Sequence, residues 1–162
     1  MIDPVKGTIA KVGCCAEIIH YQRMPDDRME MLTLGQQRFR VLEYVREKPY
    51  RVGLVQWIED QPPSKDLRPL ATEVEQLLRD VIRLSVKLTE KNVELPEDLP
   101  DLPTELSYWV ASNLYGVAPE QQALLELQDT YARLQREAEI LTSTRNHLAA
   151  RSVLKDTFNN MS

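Results

Sequence analysis

Histidine and cysteine are scarce, two of each among 162 residues, and that scarcity removes whole classes of chemistry. Cys14 and Cys15 are adjacent and lack the spacing that lets two thiolates converge on one ion, so no transition-metal site is expected. Neighbouring side chains on a strand point to opposite faces, which makes them free thiols rather than a bridge. A catalytic thiol needs a base within hydrogen-bond reach, and roughly 20 Å of strand separates Cys14 from His20 at about 3.3 Å per residue. No G-x-x-x-x-G-K-[ST] loop is present to cradle the phosphates of ATP. The acidic stretch at 94–101 is broken by Pro96 and Pro100 and lacks the bidentate carboxylate of a calcium loop. The expected cofactor list is empty, and the expected protein is not an enzyme.

Basic charge and long apolar runs are missing too. With 20 Lys and Arg against 25 Asp and Glu, a net charge of -5 opposes the clustered cations that nucleic acid requires. No apolar run approaches the roughly 20 residues that span a bilayer, and the opening "MIDPVKG" has no apolar signal core. Neither a membrane nor a nucleic acid is an expected partner, and the reading is cytoplasmic.

What remains is a chain with 43% hydrophobic residues, enough for one core or two small lobes. Residues 1–60 are rich in Val, Ile, Thr, Tyr and Phe and are punctuated by the turn sequences "MPDDR" and "REKP". They predict strands at 7–21 with a bend at Gly13, then at 29–34, 38–45 and 50–59, with Gly35 breaking the middle run. Met29, Met31 and Thr33 share one face and Leu32 and Leu34 the other, so the sheet is expected to be covered on both sides, as a small barrel or under helices. "QPPSKD" at 61–66 reads as a linker, since adjacent prolines join neither a ladder nor a helix interior. Beyond it the period turns helical. Val74, Leu77, Leu78, Val81, Ile82, Ser85 and Leu88 predict a helix capped by Asp66 and ending near Lys91. "VELPEDLPDLPTE" is a connector, Thr104 is expected to cap a short helix stopping at Gly116, and Pro119 to start another. Asp129 should cap a long last helix through Tyr131, Leu134, Ala138, Leu141 and Leu148. The expected class is α+β, with a β lobe at 1–60, a linker at 61–66 and a helical lobe at 67–162 ending in that helix.

Three stretches carry a resemblance: "GTIAKV" at 7–12, "MPDDRMEMLTLGQQRFRVLEYV" at 24–45 and "WVASNLYGVAPEQQALLELQDTYARLQREAEIL" at 109–141. Together they resemble the substrate-binding N-terminal domain of Lon proteases. The matching positions are Gly7, Thr8, Ile9 and Ala10, then Pro25 and Asp26, then Gly35, Arg38, Arg40 and Val41. The resemblance implies a partial PUA-like β lobe followed by a helical lobe. It also implies a non-catalytic module that recognises unfolded or tagged polypeptides, an adaptor in protein quality control with a protease as a further partner. Family members carry strands before the position of Gly7, so the resemblance implies a chain starting inside the lobe, with an edge left open to dimerisation. The chain stops at Ser162 without an ATPase or Ser-Lys protease module and looks like the stand-alone Lon-domain proteins.

In that frame Gly7, Gly35, Arg38 and Arg40 form the structural motif. Gly35 is expected to take a positive φ at a bulge or turn, and Arg38 to fix the bend by donating to carbonyls. Met24, Met29, Met31, Phe39 and Tyr44 are the candidate peptide-binding residues, methionine being suited to varied apolar ligands. The plainer reading places Met29, Met31 and Phe39 in the core and leaves Met24 and Tyr44 exposed. A competing function is assembly or docking through the C-terminal helix, as a homodimer or on a protease. Tyr131, Leu134, Ala138 and Leu141 fit a heptad seam there, which Arg145 and Ser152 interrupt. A Lon-type peptidase follows from the family label alone.

Overall fold

The computed structural model describes residues 9–89, 99–114 and 118–159. The expected roles of Gly7, of the helix end at Lys91 and of the stop at Gly116 lie outside the described residues. A three-stranded antiparallel sheet, β1 (Val12–Arg23), β2 (Met29–Arg46) and β3 (Val52–Ile58), is followed by α1 (Arg68–Thr89), α2 (Pro103–Ser112), α3 (Ala118–Glu126) and α4 (Thr130–Asn159). The class is α+β with a long last helix. None of the described helices is long and apolar enough to cross a membrane.

The strands differ from expectation at Gly35. β2 runs unbroken for 18 residues, pairing with β1 along its first part and with β3 along its second. Gly35 takes no left-handed φ, and a Cβ there would meet only Cys14 Sγ, at 3.5 Å. Instead the register slips between Cys14 and Ala16, whose partners are Arg38 and Gly35, so Gln36 and Gln37 together face Cys15. The irregularity is a bulge within one strand, and the polar glutamines occupy it. Gln36 Nε2 donates to Glu17 across the pair at 2.7 Å.

The chain divides into two compact units. One contains residues 1–60 together with 118–128, the other 61–117 together with 129–162. The β unit therefore includes α3, which the sequence assigns to the helical lobe. Its buried residues explain the attachment: Val12 and Ile58 of the sheet and Leu124 of α3 leave water together. Gln122 Nε2 donates to Val12 O at 3.1 Å, and Gln128 Nε2 to Glu59 O at 3.1 Å. The two amides tie residues of and after α3 to the Val12 carbonyl in β1 and to the Glu59 carbonyl just beyond β3.

Gly13 is required by a close approach. A Cβ there would lie 2.8 Å from Phe39 Cζ. The ring has little room to retreat, since it meets Trp57 edge-on with centroids 6.3 Å apart. Gly13→Ala is expected to destabilise the β unit by about 1–2 kcal/mol, overpacking outweighing the gain from a stiffer unfolded chain. Urea denaturation should show it, with Phe39→Leu restoring part of the loss. An unchanged midpoint would refute the crowding.

In the helical unit, α1 presents Ala71, Val74, Leu77 and Leu78 to a core shared with Leu106 and Val110 of α2 and Leu134 and Leu141 of α4. Asp66 accepts from the Arg68 amide at 3.1 Å as α1 begins, and Asp129 accepts from the Tyr131 amide at 2.9 Å at the start of α4. Thr104 does not cap α2. The leading residue is Leu102, followed by proline, and no side chain caps it. The Thr104 hydroxyl instead meets Thr130 Oγ1 at 3.3 Å.

Candidate polypeptide-binding surface

β1 and β2 form a ribbon that continues past the buried end of the sheet to the turn at 24–28. The turn closes through Met24 N to Arg28 O at 2.7 Å and Asp27 N to Met24 O at 3.1 Å, with Asp27 at φ 65°. An aspartate tolerates that left-handed backbone better than a branched residue would. Asp26 accepts from Arg28 Nε at 2.6 Å, and Arg23 donates to Asp27 at 2.7 Å. The charges at the tip are thus paired locally.

Directly opposed residues share a face, so Tyr21 with Met31 and Arg23 with Met29 stand on one side of the ribbon, while His20 with Leu32 and Glu17 with Leu34 stand on the other. A second slip, at Ile18 to His20, inserts Ile19 into the edge strand. Among the described residues only α3 packs against the sheet, at β1, and both ribbon faces stay open. Met29 and Met31 are 53% and 54% exposed and Leu32 is 62% exposed, so they do not enter a core, and no described element covers both faces of the sheet. Alternation alone could not reveal this, because an apolar pattern on both faces reads as double burial.

The five sequence candidates do not form one patch. Met24, Met29 and Met31 gather near the ribbon tip, with Met24 half-buried. Phe39 lies roughly 26 Å along β2 from Met31 at about 3.3 Å per residue. It is half-buried against Trp57 and joins Tyr44 in the part of the sheet that β3 completes. Arg51 lies 5.8 Å over the Tyr44 ring. The sequence reading missed Ile18, Ile19, Tyr21, Leu32, Leu34 and Trp57, all more than half exposed. Apolar residues on both faces along 18–34 were the available signal.

Arg38 and Arg40 have different places. Arg38 is 5% exposed, and its Nη1 donates to Leu125 O and Leu127 O at 2.7 and 2.6 Å, while Nη2 pairs with Asp60. It therefore holds the end of α3 rather than the bend at Gly35. Arg40 of β2, half-buried, pairs with Gln56 of β3 on one side and with Val12 of β1 on the other. The Cys14 sulfur lies 3.2 Å from the carbonyl oxygens of both Cys15 and Gln36, either of which can accept its one hydrogen, and His20 sits across from Leu32. In the helical unit a cavity of about 340 Å³ opens beside α1, where Arg68 and Arg79 are already paired with Asp66 and Glu75. No group of acidic, histidine or cysteine side chains able to hold a metal occurs among the described residues.

The arrangement is a sheet secured at one end by a helix, with an exposed apolar ribbon at the other. The family model for the ATP-dependent protease La (LON) substrate-binding domain matches residues 1–143, and the chain belongs to that family. It is 32% identical over 148 residues to Lon protease 2 of Myxococcus xanthus, covering 90% of this chain and 18% of that protein. It is 30% identical over 148 residues to the Lon protease of Anaeromyxobacter dehalogenans, covering 90% of this chain and 17% of that one. The chain thus spans less than a fifth of the length of these relatives. Among solved structures, the Lon N-terminal domain protein from Xanthomonas campestris shares the fold with a TM-score of 0.54 at 24% identity, over 81% of this chain and 68% of that one.

Proposed function

We propose that this chain is a non-catalytic polypeptide-recognition module that captures apolar segments of unfolded proteins on the β1–β2 ribbon. The observation that carries the reading is the exposure of Ile18, Tyr21, Met29 and Met31 together on one face of the ribbon, with Leu32 and Leu34 exposed on the other, and no covering layer among the described residues. Contiguous apolar surface of this kind marks interaction sites. Flexible, polarisable methionines accommodate ligands of varied shape, and an open strand edge supplies main-chain partners to an extended peptide. An adaptor role beside a protease fits such a surface, as does the family's description as a substrate-binding domain.

The test is titration of a labelled, unstructured apolar peptide. Binding in roughly the micromolar range is expected, as for a shallow site with few anchors. Met31→Glu should weaken it about tenfold or more, because a carboxylate on the ribbon must be desolvated on binding. Tyr44→Glu, at the far end of β2, should weaken it less. Equal affinity in wild type and Met31→Glu, with unchanged circular dichroism, would remove the ribbon as the site.

Self-association is the second reading, supported by the same open faces. A two-fold pairing of ribbons buries apolar surface on both partners. Light scattering separates the readings: a dimer that Met31→Glu dissociates, and that peptide does not displace, favours assembly. Docking through the C-terminal helix would instead use Val153 and Leu154, which are exposed near its end.

A further inference from the structure

Inside the helical unit, α2 and α4 meet across a buried polar cluster that peptide recognition does not use. Glu137 of α4 is fully buried, and its Oε1 accepts a 2.9 Å hydrogen bond from Ser107 Oγ of α2. Its Oε2 is buried with no hydrogen-bond partner. Arg133, one turn earlier and equally buried, donates from Nε to the same Ser107 Oγ at 2.6 Å. Its guanidinium lies 4.0 Å from the centroid of the Tyr108 ring, also on α2. Ser107 is the link, receiving from the arginine and donating to the carboxyl.

The surroundings offer the carboxyl little else. From α2 it meets Ser107, with Tyr108 turned to the arginine, and from its own helix it feels Arg133. α1 also packs on α4 and contributes Val74, Leu77 and Leu78 to the core, while its charged Glu75 and Arg79, and Asp80 and Arg83, are paired with one another.

We propose that the contact between α2 and α4 is a proton-dependent latch, in which the neutral Glu137 carboxyl holds Ser107 and α2 closed and loss of its proton releases α2. An ionised carboxylate with one oxygen unsolvated is costly in a buried site, and admitting water is the direct relief. α2 is suited to yield. It has ten residues, and no side chain caps its first turn, so its helicity depends on packing against α4.

Burial pushes the Glu137 carboxyl up from 4.5 to about 8, against the opposing pull of Ser107 and Arg133. The closed form thus binds the proton more tightly than the open form. The latch is at full strength below about 4.5, weakens as pH climbs to about 8, and weakens no further beyond. Within that window the opening equilibrium rises about tenfold per pH unit, one proton being released per opening.

The test is amide hydrogen exchange of the full chain from about pH 5 to about pH 9, corrected for the intrinsic rate. Protection of α2 should fall about tenfold per unit until near pH 8 and then level, while the amides of β1 and β2 show no such slope. Glu137→Gln should flatten the α2 profile. Titration of isotope-labelled glutamate carboxyls is a second readout that needs no variant: Glu137 should titrate near 8. A pH-independent α2, an unaltered slope in Glu137→Gln, or a Glu137 carboxyl titrating in the ordinary range each overturns the latch.

Discussion

Arg38→Ala is expected to unfold the β unit far more readily, at a cost of roughly 3–5 kcal/mol, the range for removing one partner of a buried, hydrogen-bonded charge. The side chain carries three duties at once. Leu125 and Leu127 lie at the end of α3, where carbonyls have no partner within the helix, and a guanidinium that cannot lose its charge closes them. The same group neutralises Asp60, which is 15% exposed. Alanine strands all three acceptors in a place water reaches poorly. Arg38→Lys should recover only part of the loss, because one ammonium cannot reproduce a planar fork bonded to three oxygens. Trp57 lies in β3 and Trp109 in α2, so single-tryptophan variants report on the two units separately. The midpoint followed by Trp57 should fall steeply. A loss below about 1 kcal/mol would show that Arg38 is a surface contact and not the closure of this unit.

That result bears on function because α3 is the only described helix packed on the sheet. Releasing it exposes Val12, Ile58 and Leu124 in addition to the ribbon. Arg38→Ala should therefore bind apolar peptide less selectively while being less stable. Met31→Glu should do the reverse, losing affinity in an intact fold. The two variants separate a residue that holds the scaffold from one on the proposed binding surface.

The helical period was legible in the sequence because α1 and α4 each bury a stripe, and Asp66 and Asp129 mark their starts with short polar side chains next to apolar runs. The β unit was less legible for three physical reasons. Gly35 and two glutamines resemble a strand break, yet cross-strand pairing absorbs them as a bulge. α3 docks on Val12, more than a hundred residues away, through Gln122, and no local pattern announces a polar anchor for so distant a contact. Apolar alternation on both faces of 18–34 reads as burial and cannot report that a covering layer is absent among the described residues. Of the candidate site, the methionines at 29 and 31 were named from chemistry, whereas their neighbours Tyr21 and Leu32 needed the strand register. Arg133 and Glu137 escaped because charged residues beside Leu134 and Ala138 read as the solvent edge of a stripe. Only the docking of α2 turns that edge inward.

The second large effect is expected at Arg133, where Arg133→Met keeps most of the stem volume and removes every donor. Wild-type Arg133 donates to Ser107 at 2.6 Å, reaches Thr130 Oγ1 at 3.3 Å and stacks on Tyr108, all without solvent exposure. Losing a charged donor to buried acceptors costs about 1–3 kcal/mol for each acceptor left unpaired, so a total near 3 kcal/mol is expected for the helical unit. Arg133→Lys should fall between, since an ammonium can reach one hydroxyl but cannot stack as a plane. The pH dependence should change as well. Arg133 pulls the Glu137 carboxyl downward, so its removal leaves burial less opposed and pushes that carboxyl higher still. Stability of wild type should decline with pH until about 8 and then level, whereas in Arg133→Met the decline should continue to higher pH before levelling. Thermal melts followed by Trp109 across that range measure both effects. A destabilised Arg133→Met whose profile levels at the wild-type pH would show that the arginine packs the interface without acting on the Glu137 carboxyl.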